Sequence, residues 1–277
     1  MNERAKRSLF YLALLGLPLL ALLLAYSLSA EPQWITVNYQ RLDSTPLNTA
    51  LVGTRIVVVA DLHSYGFRTP ELNVLRTVEE LDADWVLVPG DILPRIDADH
   101  DAVDVLHSLH ARNGVIASYG DSDVFFEREL SGQNLLRTPT TLLNDRVQVL
   151  VDSYQYIQGP GGPVLIAGLD GIYPPEPTRF LDSLPRDAPV ILLAHYPEVF
   201  DAAAQRGIEL TVSGDTHGGQ VELPHFLLHL IFGPAKTKYR QGLFSKGESL
   251  LYVNQGIGMS VLPMRFACRP EITVFDF

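Results

Sequence analysis

Apolar positions in this chain come in short runs separated by segments with helical or polar patterning. The run RIVVVA, residues 55–60, is β-branched and shows no polar alternation, as expected of a strand buried on both faces. WVLVPG, GVIAS, RVQVLV, PVLIAG, VILLAH, ELTVSG, SLLYVN and ITVFDF read as further strands, and QWITVNY as an earlier one. Between the first of these, Thr69-Pro70 opens a helix with Thr69 as its N-cap and Pro70 in its first turn. DADHDAVDVLHSLH has the period of an amphipathic helix. Strand and helix alternate early and strands dominate late, which predicts an α/β protein with mixed sheets sandwiched between helices. No internal repeat or low-complexity tract interrupts the pattern.

The N-terminus differs. Arg4, Lys6 and Arg7 precede an unbroken apolar run of 18 residues, Leu9–Tyr26. That is about the minimum for a membrane span, and the run lacks the polar face of a core helix. An uncleaved anchor is expected, with a cleaved signal peptide (Ala25–Ser27 as the cleavage site) as the alternative. Basic residues before the span place the remaining chain outside the cytoplasm, giving a single-pass inner-membrane protein with an extracytoplasmic domain. The expected organisation is an anchor over 1–30, a linker and first strand over 31–52, and one domain over 53–277. A length of 277 residues suffices for a full core, and a monomer is expected.

Charge narrows the function. With 32 acidic and 21 basic residues the net charge is −11, and beyond residue 7 no Lys/Arg cluster offers the counterion release that nucleic acid requires. An acidic chain that handles anions needs a bound cation to attract them. The single cysteine, Cys268, permits neither an internal disulfide nor a cysteine zinc site and reads as a small buried hydrophobe.

Five polar clusters fall at or just after predicted strand ends, where open α/β sheets place their sites. They are Asp61 and His63 in ADLH; Asp91 in PGD; Asp121, Ser122 and Asp123 in YGDSD; His195 in AHYPE; and Asp215 and His217 in GDTHGGQ. Singly, each Asp reads as a turn or cap residue and each His as a satisfied structural group. Jointly they are what a pair of divalent cations needs, with a carboxylate able to bridge them.

This order of motifs resembles the calcineurin-like metallophosphoesterases over roughly residues 53–277. The tail HGGQVELP…KYRQGLF…LYVNQGIGMSVLPMRFACRPEIT further resembles a membrane-associated bacterial branch that includes UDP-diacylglucosamine pyrophosphatases. The resemblance implies a four-layer α/β/β/α sandwich of two mixed sheets. It also implies hydrolysis of a phosphoester or pyrophosphate bond by metal-activated water, on a phosphorylated small molecule or lipid. One cation would be held by Asp61, His63, Asp91 and His217, with Asp91 bridging to a second held with Asp121, His195 and Asp215.

Three positions depart from the family. Asp121 stands where the family has a metal-binding Asn, Ser122 where it has the catalytic His, and Asp215 where it has the first His of G-H-x-H. The inferred site thus holds four carboxylates, Asp61, Asp91, Asp121 and Asp215, where the usual pattern supplies two. Harder donors favour Mn²⁺, with Mg²⁺, Fe²⁺ and Zn²⁺ open. Ser122 cannot act as a general acid near neutral pH, and losing one costs roughly 10²- to 10⁴-fold in rate. A substrate with a good leaving group depends less on that proton. A degenerate relative that binds metal and ligand without turnover is the alternative.

Arg265 and Arg269, in the resembling tail, are expected to bind a substrate phosphate. Leu223–Gly233 reads as core, with an apolar flap meeting lipid as the functional alternative. His225 and His229 read as packing residues, Lys236, Lys238 and Arg240 as a solvated loop, and His100, His107 and His110 as surface residues.

Overall fold

The computed structural model describes residues 3–94, 100–125, 146–172, 177–224, 238–260 and 262–277. Two six-stranded mixed sheets form the domain. The strands are β1 (Thr36–Tyr39), β2 (Arg55–Val59), β3 (Trp85–Pro89), β4 (Gly114–Ser118), β5 (Val147–Leu150), β6 (Ser153–Gly159), β7 (Gly162–Gly168), β8 (Val190–Leu193), β9 (Leu210–Ser213), β10 (Gly242–Lys246), β11 (Ser249–Val253) and β12 (Glu271–Asp276). The first sheet runs β1-β12-β2-β3-β4-β5 and the second β10-β11-β9-β8-β7-β6. Strands β2 to β5 are mutually parallel, as are β7, β8, β9 and β11, so both sheets end their parallel strands in loops that can meet.

Three layers of burial hold this arrangement. Between the sheets, Ile56, Val58, Leu87 and Ile116 of one face Ile166, Ile191, Leu193 and Val212 of the other. Outside the first sheet, Val57, Val86 and Val115 pack on α3 (Thr69–Leu81) and α4 (His100–His107) through Val74, Val78 and Leu106. Outside the second, Leu165, Leu192 and Ala167 pack on α5 (Thr178–Ser183) and α6 (Phe200–Gln205) through Leu181 and Ala203. The result is the expected α/β/β/α sandwich. Central strands touch apolar layers on both faces, which is why their sequences lack alternation.

Some local expectations need correction. Thr69 is the first residue of α3, and its N-cap is Arg68 in an extended conformation. Two strands went unread, β6 and β10, each at the edge of the second sheet. The burial of β6 alternates along SYQYIQG, and half-exposed tyrosines and glutamines dilute its apolar signal. Residues 31–52 hold the expected first strand and, beyond it, a short helix. β1 pairs in parallel with β12, and Leu42, Leu47 and Leu51, the last two around α2 (Thr45–Ala50), are buried in the inter-sheet core. Most of Leu223–Gly233, with His225, His229 and Lys236, lies outside the described residues.

The N-terminal helix α1, Glu3–Ala25, contains Pro18 and presents Leu15, Leu17, Leu19, Leu20 and Leu22 to the exterior. Leu14–Gln33 is long and apolar enough to cross a membrane by length and composition. The helix continues through a π-helical turn, Tyr26–Ala30, and a 3₁₀ turn, Glu31–Gln33. There it meets the domain. The Ser27 carbonyl accepts from Arg265 N–H at 3.0 Å, and Glu31 Oε1 accepts from Cys268 N–H at 2.6 Å.

Membership of α2 in the core has a measurable consequence. Leu47 is wholly buried, so Leu47→Ala should lower unfolding free energy by about 2–5 kcal/mol. Guanidinium denaturation of the full chain would measure it; a loss below about 1 kcal/mol would place this segment outside the core.

Candidate metal centre

Every cluster singled out in the sequence leaves the C-terminal end of a parallel strand. Asp61 and His63 follow β2, Asp91 follows β3, Asp121 and Ser122 follow β4, His195 follows β8, and Asp215 and His217 follow β9. The loops are stitched together by backbone hydrogen bonds. Asp61 N–H donates to the Gly90 carbonyl at 3.2 Å, His63 N–H to the Asp91 carbonyl at 3.0 Å, and Gly214 N–H to the His195 carbonyl at 3.2 Å. The last pair joins two adjacent loops of the second sheet.

This placement is strained. Asp61, His63, Asp91, Asp215 and His217 have φ of 48°, 41°, 50°, 68° and 49°. A side-chain-bearing residue in the left-handed region costs on the order of 1 kcal/mol or more. Five such residues among the seven expected ligands mark a site whose geometry is imposed by its surroundings. Glycines leave room for the carboxylates. A side chain at Gly120 would collide with the Asp91 carboxylate, and one at Gly214 with that of Asp61.

The ligand atoms converge. Oxygens of Asp61 and Asp91 and a ring nitrogen of His195 lie within 4.8 Å of one another. His195 Nε2 is 3.5 Å from Asp91 Oδ1 and 3.9 Å from Asp215 Oδ1, while its Nδ1 is 3.2 Å from the Pro89 carbonyl. On the other side, His63 Nε2 is 3.4 Å from Asp91 Oδ2 and 3.1 Å from His217 Nε2. Two imidazole nitrogens sharing one cation at about 2.1 Å each would stand roughly 3.0–3.4 Å apart. Asp91 thus faces histidines on both sides, the position a bridging carboxylate occupies. Asp121 is half-buried and close enough for its charge to act on both His63 and His195.

The electrostatics call for a cation. Asp61 is completely buried, and its Oδ2 has no hydrogen-bond partner among the described residues; Oδ1 accepts only the Asp215 N–H, at 3.1 Å. Burial pushes the Asp61 carboxyl up to about 8 and that of Asp215 up to about 6. Burial lowers His195, but the fields of Asp91, Asp61, Asp215 and Asp121 outweigh it and carry the imidazole to about 9. In the metal-free protein His195 is therefore an imidazolium standing among carboxylates. Burial holds His63 below its ordinary value and His217 well below, and each is further lowered by neighbouring cationic groups. Buried carboxyl groups around His195, beside the imidazoles of His63 and His217 that burial keeps neutral, are a donor set that divalent cations fit.

Ser122 has a definite place. Its N–H donates to Asp91 Oδ1 at 3.0 Å and its Oγ to Asp91 Oδ2 at 3.2 Å. The residue at the family's general-acid position thus orients the bridging carboxylate. Asp123 received no role from its sequence position but is also buried, where it accepts from the backbone of Ile92, Leu93 and Gly120 at 3.0, 2.9 and 2.9 Å. It locks the Asp91 loop to the Asp121 loop; burial and the charge of Asp91 raise its carboxyl to about 7.

The two arginines are placed differently from expectation. Arg265 is 0% exposed. Its guanidinium donates to the carbonyls of Gln255, Gly256 and Gly258 at 3.0, 3.0 and 2.6 Å, and to that of Cys268 at 3.2 Å. Gly258 N–H in turn donates to the Asp61 carbonyl at 2.7 Å. Arg265 therefore braces the loop behind Asp61, and a buried guanidinium whose two terminal nitrogens donate to carbonyls has no reach to a substrate phosphate. Arg269 stacks over the Trp34 ring, 3.5 Å from its centroid, at the foot of the N-terminal helix. Cys268 is buried as expected and touches the back of the metal loop, its Sγ 3.4 Å from the His217 carbonyl.

A two-sheet sandwich carrying this cluster of carboxylates and imidazoles at its strand ends defines a metal-dependent hydrolase. The family model for calcineurin-like phosphoesterases matches residues 54–219, and the chain belongs to that family. It is 31% identical over 258 residues to the metallophosphoesterase YkuE of Bacillus subtilis, covering 90% of this chain and 88% of that one. It is 30% identical to the phosphodiesterase YaeI of Escherichia coli, covering 89% of each chain. It is 25% identical to the UDP-2,3-diacylglucosamine pyrophosphatase LpxG of Chlamydia muridarum, covering 81% of this chain and 83% of that one. These matches make the chain a phosphoesterase of the metal-dependent kind.

The charge pattern predicts how stability varies with pH. Asp61, Asp123 and His195 all have folded pKa values above their ordinary 3.8, 3.8 and 6.5, so the metal-free fold holds extra protons. For His195 the stabilisation is complete below 6.5 and lost as pH rises through about 9; for Asp61 it is lost by about 8. His63 and His217 act in the opposite sense, but only below their ordinary 6.5. The melting temperature of the EDTA-treated protein should therefore fall from about pH 6.5 to 9, and saturating Mn²⁺ should abolish or reverse the fall. Calorimetry across that range tests it; a flat metal-free profile would contradict the charge assignment.

Proposed function

We propose that this phosphoesterase cleaves a phosphodiester or pyrophosphate bond with a good leaving group, in a membrane- or envelope-associated substrate. The observation that carries the reading is the engagement of Ser122. The residue at the general-acid position is buried and committed to Asp91, so the chain offers no proton donor there to a poor leaving group. A phosphoanhydride, or a diester whose departing oxygen is acidic, does not need one. That matches the pyrophosphatase activity named for the Chlamydia relative and the diesterase activity named for the Escherichia relative.

The chain's own residues would act as follows. Asp61, His63, Asp91 and His217 would hold one divalent cation, and Asp91, Asp121, His195 and Asp215 a second. Mn²⁺ is favoured by the oxygen-rich donor set. Bound cations supply an activated water and charge neutralisation at phosphorus. Ser122 and Asp123 fix the position of Asp91 and of the loop carrying Asp121. Asp215, the most exposed of the ligand carboxylates in contact with His195, stands where substrate would enter. The N-terminal helix would span the inner membrane once, with the domain, as a monomer, on the extracytoplasmic side. That placement favours an envelope phospholipid or phosphodiester over a nucleotide-linked precursor made in the cytoplasm.

The test is Mn²⁺-dependent hydrolysis of bis-p-nitrophenyl phosphate by the full chain in detergent. Asp91→Asn should reduce turnover by at least roughly 10³-fold, since it weakens both cation positions together. Ser122→Ala should retain activity on this substrate within about tenfold, because p-nitrophenolate leaves without a proton. A metal-loaded protein that fails to turn over would make the chain a metal-binding relative without catalysis.

A further inference from the structure

Where the N-terminal helix meets the domain, a cavity of about 630 Å³ opens to the exterior, lined by Tyr26, Glu31, Asn38, Gln255, Phe266 and Arg269 among others. No ligand of the proposed metal centre lines it. We propose that this cavity binds a phospholipid headgroup carrying both a phosphate and a primary amine. The proposal rests on the reading of the N-terminal helix as a membrane span.

The amine is called for by Glu31. This carboxylate is 1% exposed, and only Oε1 is engaged, by the Cys268 N–H. Oε2 is buried and has no hydrogen-bond partner among the described residues. A buried carboxylate oxygen left bare costs more than a neutral group left bare, so a cationic donor is its natural complement. The other carboxylate in the wall, Glu271, is already supplied with donors by Tyr252, Thr273 and Gln255.

The phosphate is called for by Arg269. Its guanidinium carbon sits over the Trp34 ring, 3.5 Å from the centroid, and the group makes no hydrogen bond among the described residues, so its donor fork remains available for two anionic oxygens. The surroundings fix the source as a lipid. Tyr26 is the first residue past the α-helical segment whose leucines face the exterior, and exposed Leu28 lies two residues on. A headgroup in the cavity would leave its acyl chains beside that apolar surface, with Trp34 and Tyr26 as the aromatic residues favoured at such a boundary. Two carboxylates against Arg269 in the wall also disfavour a headgroup with net negative charge.

The cavity adjoins the metal loop from behind. A side chain at Gly218 would collide with Cys268 Sγ, Gln241 Oε1 and Gln255 Oε1, and Cys268 Sγ contacts Gln255 Oε1 at 3.3 Å and the His217 carbonyl at 3.4 Å. An occupied cavity would therefore stiffen the turn that carries His217.

Hydrogen–deuterium exchange on the full chain in nanodiscs tests this. Phosphatidylcholine discs would be compared with discs in which part of the lipid is phosphatidylethanolamine. Exchange at residues 26–38 and 266–271 should slow about tenfold with phosphatidylethanolamine at ten times its Kd. Glu31→Gln keeps the carbonyl that accepts from Cys268 and so keeps the fold; it should erase the difference between the lipids, as should Arg269→Ala. Equal exchange in both lipids overturns the proposal, and equal slowing by phosphatidylglycerol, which has no amine, overturns the role of Glu31. Slowing by soluble phosphoethanolamine in detergent overturns the lipid source. A chain that fails to enter nanodiscs overturns the membrane reading and this proposal with it. Metallophosphoesterase activity is not the readout, so its failure would be separately visible.

Discussion

The structure turns on one constraint: several carboxyl groups are buried together, with little counter-charge, where the two sheets meet. Asp61 is sealed from water by Gly214 and by the chain around it. Asp91 sits between histidines contributed by both sheets. Buried anions at this density are tolerable only with cations among them, and the protein's own cation there is the imidazolium of His195. The left-handed backbone at five ligand positions shows that folding forces this arrangement against local preference. Stabilisation comes from the three apolar layers elsewhere, and the site draws on it.

Much of this could be read from sequence, for a physical reason. Strands buried on both faces give continuous β-branched runs, and those runs end where the parallel strands deliver their side chains to the site. Asp61, Asp91, His195 and Asp215 were legible because each lies two residues past such a run, with His63 and His217 two further on. The edge strands β6 and β10 were not, because half-exposed strands carry polar residues that look like loop. The short helix α2 offered too few residues for a period to appear.

Arg265 and Arg269 show the opposite failure. An arginine near a motif suggests phosphate, and only tertiary structure reveals that one guanidinium is enclosed by carbonyls and the other lies on an indole. Ser122 and Asp123 were visible as polar residues in the right loop. Their task of holding Asp91 and its neighbours depends on two strands being side by side, which no local pattern encodes. The departures at Asp121, Ser122 and Asp215 are thus less a loss of parts than a shift of the same loops toward oxygen donors.

On the proposed reading of the N-terminal helix as a membrane span, the junction at Ser27 and Glu31 bears on where such an enzyme would act. Hydrogen bonds from Arg265 and Cys268 clamp the end of the helix to the same tail segment that braces Asp61. A catalytic domain on a loose leash sweeps a hemisphere and meets whatever diffuses through it. One bolted to its mast keeps its mouth at a fixed height and bearing over the bilayer. Its catchment is then a ring in the plane of the membrane, and molecules that travel in that plane hold the advantage over those dissolved above it.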